Sequence, residues 1–160
     1  MRDGNRRVVA TTPTHNALPF LARECGTVVK RVVTVGQDMM AVILIVEDDI
    51  LIRELTEIMI HDWGHQTLSA SDVDGALVLL RSPVHIDILF TDIYLKTAVL
   101  GGIELARQAI KLRPELHVLY TTGNAVTNAM QTQFVEGTHC LRKPYTPTHL
   151  QHSFEDLLAA

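Results

Sequence analysis

The sequence has little cysteine, no long apolar run and no excess of basic residues. Its two cysteines, Cys25 and Cys140, are isolated and show no CxxC spacing. That gives no basis for a disulfide framework or a thiolate metal site, and it fits a reducing cytoplasm. The longest apolar run, Met39 to Val46, is far shorter than the roughly 20 residues needed to span a bilayer. Residues 1–40 lack the apolar core and cleavage site of a secretory signal. The formal net charge of −4 argues against a nucleic-acid binder, which would be basic. No phosphate-binding GxxxxGK[ST] loop, internal repeat or low-complexity tract is present.

At 160 residues and 47% apolar content, the chain is long enough for one well-cored domain with a short appendage. Charge divides it in two. Residues 1–40 carry six Lys/Arg and three Asp/Glu, net +3, and residues 41–160 carry eight and fifteen, net −7. The first stretch has two prolines and no sustained periodicity. Residues 1–40 are therefore expected to be a disordered or non-native leader, upstream of a domain over 41–160. Met39 and Met40 directly precede the first strand-like run.

From residue 41, strand and helix patterns alternate. Ala41–Val46 is a β-branched run ending in Glu47-Asp48-Asp49. Leu51, Leu55, Ile58, Met59 and Trp63 recur at helical spacing up to Gly64. Gln66–Ser69 reads as a short strand, and Asp72 caps a helix that ends at Ser82-Pro83. Ile86–Thr91 is a third strand, ending on Asp92. Ile103, Ala106 and Ile110 mark a helix stopping before Pro114. Leu116–Thr121 is a fourth strand. Val126, Met130 and Phe134 predict a helix closed by Gly137. Thr138–Arg142 is a fifth strand, and Leu150, Phe154, Leu157 and Leu158 line a last helix. This alternation predicts an α/β fold with a doubly wound parallel sheet and helices on both faces.

In such a sheet, ligands bind at the carboxyl edge. The sequence places Glu47, Asp48, Asp49, Asp92, Thr121, Thr122 and Lys143 there. Crowded carboxylates repel one another, and an oxygen-only donor set suits Mg2+. A carboxylate, a cation, a hydroxyl and an ammonium are the groups that hold a transferring phosphoryl group, with Asp92 as the nucleophile. Alone, Glu47-Asp48-Asp49 could be no more than acidic residues favoured at a helix N-terminus. Asp49 reads as the helix cap or a solvated neighbour, Asp87 as solvated or paired, Thr121 as a strand residue and Cys140 as a small buried residue. His149 and His152 read as part of a solvated helix face, and no histidine is marked as a phosphodonor.

Four segments, Ile45-Val46-Glu47-Asp48-Asp49, Leu89-Phe90-Thr91-Asp92, Tyr120-Thr121-Thr122-Gly123 and Leu141-Arg142-Lys143-Pro144-Tyr145, resemble in order and spacing the motifs of bacterial two-component response-regulator receiver domains. The resemblance covers about residues 41–160 and is nearest to the single-domain, chemotaxis-regulator-like members. It implies a flavodoxin-like, five-stranded sheet of order 2-1-3-4-5. It implies Asp92 as phosphoacceptor, Thr122 as switch hydroxyl and Lys143 as the phosphoryl-pairing lysine. Mg2+ would be held by Glu47, Asp48, Asp92 and the backbone carbonyl of Tyr94. The implied protein is not an enzyme, beyond assisting its own phosphorylation and dephosphorylation. A sensor histidine kinase or histidine phosphotransfer protein would supply phosphoryl. The output would be a downstream protein target or a homodimer through the fourth helix, fifth strand and fifth helix, because no output domain follows before Ala160. No nucleic-acid or membrane partner is implied.

Two departures from the family pattern stand out. The loop Leu95-Lys96-Thr97-Ala98-Val99-Leu100 lacks the usual Met-Pro segment and is about two residues longer. Cys140 takes the place of the aromatic switch residue three before the lysine, leaving Tyr120 and Tyr145 as nearby rings. These departures keep open a second reading, a receiver-like interaction module that no longer cycles phosphate. A haloacid-dehalogenase-like phosphatase would need a second aspartate two residues after Asp92, where Tyr94 stands.

Overall fold

The computed structural model describes residues 40–96 and 98–160, and the expectation of a leader over residues 1–40 falls almost entirely outside them. Among the described residues, five strands alternate with five helices. They are β1 (Val42–Val46), α1 (Ile50–Asp62), β2 (Gln66–Ala70), α2 (Val73–Arg81), β3 (Ile88–Asp92), α3 (Gly101–Leu112), β4 (His117–Thr122), α4 (Asn128–Gln131), β5 (His139–Arg142) and α5 (Pro147–Leu158). Every strand pair is parallel, and the sheet order is β2-β1-β3-β4-β5, the flavodoxin-like arrangement.

Strand alternation divides the core into two layers. Leu44, Val46, Leu89, Val118 and Tyr120 face one side, where Leu77 and Leu80 of α2, Ile103 and Ala106 of α3, and Met130 of α4 cover them. Ile43, Ile45, Ile88, Phe90 and Leu119 face the other, against Ile60 of α1 and Leu150, Phe154 and Leu157 of α5. β1, β3 and β4 are buried on both faces, so their sequences are continuous apolar runs. Among the described residues no helix is long and apolar enough to cross a membrane.

Two sequence expectations are corrected. The fourth helix spans only Asn128–Gln131 and does not continue to Gly137. Thr127 caps it, and the Thr132 hydroxyl and the Gln133 amide both donate to the Ala129 carbonyl, so side chains compete with the helical ladder. The apolar spacing still serves packing. Met130 is buried, and Val126 and Phe134 lie against the same core. Cys140 is exposed, not buried. It lies on the edge strand β5, three of whose four residues are exposed.

Candidate functional site

The carboxyl edge of the sheet gathers the charged residues. β1 runs out into Glu47 and Asp48. Asp49 then turns the chain into α1, its carboxylate accepting from the Leu51 and Ile52 amides at 2.9 and 3.3 Å. This is the cap that the sequence suggested, and it leaves Glu47 and Asp48 to the site. Arg53, one turn into α1, donates to the Glu47 carbonyl at 2.6 Å and fixes the same turn. Sequence reasoning missed that contact. Its only signal is a basic residue one turn after the acidic cluster.

Asp92 is the last residue of β3 and only 8% exposed. Close packing behind it holds the strand end. A Cβ on Gly102 would collide with the Asp92 carbonyl, so only glycine lets α3 start this near the strand. The Gly102 amide donates to the Ile93 carbonyl at 3.2 Å. Asp92 Oδ1 accepts from the Tyr94 amide at 3.1 Å. Tyr94 thus brings its backbone to the site, while its ring packs into the α2–α3 layer.

Lys143 follows β5. Its Nζ lies 2.6 Å from both Glu47 Oε2 and Asp92 Oδ2. The Lys143 amide donates to the Thr122 carbonyl at 2.8 Å, which ties the β5 end to the β4 end. The Lys143–Pro144 peptide is cis. Glu47, Asp48 and Asp92 each place a carboxylate oxygen within 4.8 Å of the others. Burial pushes the Glu47 carboxyl up from its ordinary value, and the hydrogen bond from Lys143 only partly offsets this. Burial alone would lower Lys143, but the hydrogen bonds to Asp92 and Glu47 outweigh it and hold the ammonium above its ordinary value.

Thr122 is fully buried at the end of β4, its hydroxyl accepting from the Asn124 amide at 3.1 Å. Thr121 pairs in register with Asp92, and its hydroxyl is buried with no hydrogen-bond partner among the described residues. Asp87 lies at the opposite, amino end of β3. It is paired, accepting from the Val42 amide at 2.7 Å and meeting His85 at 2.8 Å. Tyr120 is fully buried against Phe134, with ring centroids 4.5 Å apart. Tyr145 belongs to the other layer, edge-on to Phe90, with its hydroxyl 3.3 Å from the Thr56 hydroxyl.

A second lysine also reaches the cluster. Lys96, in the long loop after β3, places Nζ 2.9 Å from Asp48 Oδ2. The hydrogen bond to Asp48 raises the Lys96 pKa. The sequence flagged this loop for its length but not for its cation.

Glu47, Asp48 and Asp92 each offer a carboxylate oxygen, the donor type that hard divalent cations select. The residues therefore fit a Mg2+ site.

Comparison with known proteins agrees with this geometry. The family model for the response regulator receiver domain matches residues 43–155. The nitrogen assimilation regulatory protein NtrX of Azorhizobium caulinodans is 30% identical over 111 residues, which cover 68% of this chain and 24% of NtrX. The chain thus spans about a quarter of the length of that relative. Among solved structures, a response regulator receiver protein from Sinorhizobium medicae superposes with a TM-score of 0.70 at 26% identity, covering 76% of this chain and 97% of that one. NtrX from Brucella abortus superposes with a TM-score of 0.68 at 30% identity, covering 76% of this chain and 27% of its own. Sheet order, carboxylate cluster and family match coincide, and the chain belongs to the response regulator receiver domains of phosphorelay signalling.

Proposed function

We propose that Asp92 is the phosphoacceptor of this receiver domain and takes its phosphoryl group from a phosphohistidine on a sensor histidine kinase or phosphotransfer protein. The observation that carries the reading is the pairing of one ammonium with two carboxylates. Lys143 Nζ is 2.6 Å from Asp92 and from Glu47, at the carboxyl edge of the sheet. An Asp92 carboxylate oxygen attacks phosphorus, and the P–N bond to the donor imidazole breaks. The electron pair returns to that nitrogen, which takes a proton from solvent. Lys143 stabilises the charge on the transferring oxygens, and the Thr122 hydroxyl donates to one of them during transfer. Glu47, Asp48, Asp92 and the Tyr94 carbonyl would hold Mg2+, which when bound neutralises charge on the phosphoryl oxygens.

The donor has a surface to meet. Ile52, Leu55 and Met59 of α1 and Pro144, Tyr145 and Pro147 beyond β5 line an apolar groove of about 590 Å³ that reaches Lys143. Leu51, Leu55 and Ile58 are exposed on α1. A helix of the donor laid in this groove would bring its phosphohistidine to the rim. The output is a change of the loops around Thr122 that alters binding to a protein target or a second copy of the chain. The α4, β5 and α5 face is the place for that contact.

Intact-mass spectrometry after incubation with acetyl phosphate or phosphoramidate tests this. One phosphoryl group should be gained with Mg2+, none with chelator and none in Asp92→Asn. Uptake that survives in Asp92→Asn removes Asp92 from the role. Absence of uptake in the wild type with Mg2+ favours the interaction module without phosphate chemistry.

A further inference from the structure

We propose that Lys96 is a displaceable counter-ion that occupies the cation place at Asp48 until a divalent ion takes it, linking metal occupancy to the loop between β3 and α3. The proposal rests on the reading of Glu47, Asp48 and Asp92 as a metal site.

The three carboxylates are shared unequally between two lysines. Lys143 takes Glu47 and Asp92, both at 2.6 Å, and its side chain is 16% exposed. The backbone of that lysine is tied to the end of β4, its amide donating to the Thr122 carbonyl. Asp48 receives nothing from Lys143 and pairs instead with Lys96 at 2.9 Å. The Lys96 side chain is 74% exposed, so it can leave into water with little to break. A buried, fixed cation and an exposed, removable one therefore stand on the same cluster.

The loop is built to present that lysine. Leu95 is buried at 4% exposure and pins one flank. Leu95 and Ala98 form an antiparallel bridge, the Ala98 amide donating to the Leu95 carbonyl at 3.0 Å. The Gly101 amide closes the next turn onto the Ala98 carbonyl at 2.9 Å. Leu100 adopts a left-handed conformation with φ of 58°, which a leucine accepts only where its surroundings impose it. The Leu95–Ala98 bridge and the Ala98–Gly101 turn thus flank Lys96, whose ammonium reaches Asp48.

Two consequences follow from electrostatics. A monovalent ammonium on Asp48 competes with a divalent cation for the same oxygens, so Lys96 weakens metal affinity. Binding of the ion also frees the lysine and with it the tip of the loop. The metal state of the site would then be legible at the surface beside it, before any phosphoryl transfer.

Calorimetric titration of Mg2+ into the full chain tests this with wild type, Lys96→Met, Lys96→Glu and Lys96→Arg. The dissociation constant should fall about two- to five-fold in Lys96→Met, the range of an exposed ion pair. It should fall further in Lys96→Glu and stay at the wild-type value in Lys96→Arg. Hydrogen exchange gives a second readout. Mg2+ should speed exchange at the Ala98 and Gly101 amides of the wild type, whereas in Lys96→Met exchange should already be fast and indifferent to Mg2+. If wild type and Lys96→Met bind Mg2+ with equal affinity and equal loop exchange, the counter-ion role is overturned and the metal site stands. Weaker binding in Lys96→Met also overturns it. If no variant binds Mg2+, the metal-site reading fails together with the proposal.

Discussion

Lys143→Met removes a charge and keeps an unbranched stem, so it isolates the electrostatic role of the lysine. In the structure one ammonium neutralises two carboxylates, Glu47 at 3% and Asp92 at 8% exposure. Without it, three carboxylates with oxygens within 4.8 Å face one another, and among the described residues only exposed Lys96 remains to balance them. Removing one partner of a buried ion pair costs about 3–5 kcal/mol, and the partial exposure of the Lys143 side chain puts the loss at the lower end, about 3 kcal/mol. For a domain of this size that lowers Tm by about 10 °C and the urea midpoint by about 1–2 M. The assay is urea or thermal unfolding in chelator, repeated with excess Mg2+. In chelator the variant should be destabilised by this amount. Mg2+ should restore much of it, because a divalent cation neutralises the same oxygens and binds only the folded state. Adding Glu47→Gln to Lys143→Met should recover stability in chelator, since one buried charge then disappears. A variant as stable as wild type in chelator would show that the lysine does not neutralise the cluster.

Other outcomes follow from single contacts. Thr122→Ala should slow phosphoryl uptake about ten-fold by removing one donated hydrogen bond to the transferring group, about 1–1.5 kcal/mol; Mg2+ affinity, read by calorimetry, should not change. Gly102→Ala forces a Cβ against the Asp92 carbonyl. It should cost about 2–3 kcal/mol in urea unfolding through overpacking and slow uptake by shifting the strand end. Burial pushes the Tyr120 phenol above its ordinary value of 10.0. A raised folded-state value means its contribution is intact below pH 10 and is lost as pH rises through the folded pKa. Tyr120→Phe should therefore flatten part of the loss of Tm at alkaline pH, and phenolate absorbance should lag behind that of a free tyrosine.

Strands β1, β3 and β4 were plain in the sequence because they are buried on both faces, which demands continuous apolar runs; the sheet order came from the family resemblance. Asp92, Glu47 and Asp48 were legible for the same reason. Each ends or follows a buried strand, and parallel strands end on one edge. Lys143 follows the exposed edge strand β5, and the Leu141–Tyr145 motif marked it. Three features were not legible. The fourth helix has the spacing of a full helix, but Thr127, Thr132 and Gln133 bind backbone carbonyls or amides locally and shorten it. Cys140 looks like a core residue by type, and only the position of β5 at the sheet edge exposes it. Lys96 lies in an irregular loop, where no periodicity says which way a side chain points. Its contact with Asp48 depends on the bridge between Leu95 and Ala98.

The phosphoacceptor role of Asp92 is tested most directly by reductive trapping. The chain is phosphorylated with acetyl phosphate and Mg2+, reduced with borohydride and mapped by peptide mass spectrometry. Borohydride converts an aspartyl phosphate into homoserine, so the peptide covering Ile88–Asp92 should carry homoserine at position 92 and at no other. Homoserine at a different aspartate, or an unaltered Asp92 in a chain that has gained phosphoryl, would contradict the assignment.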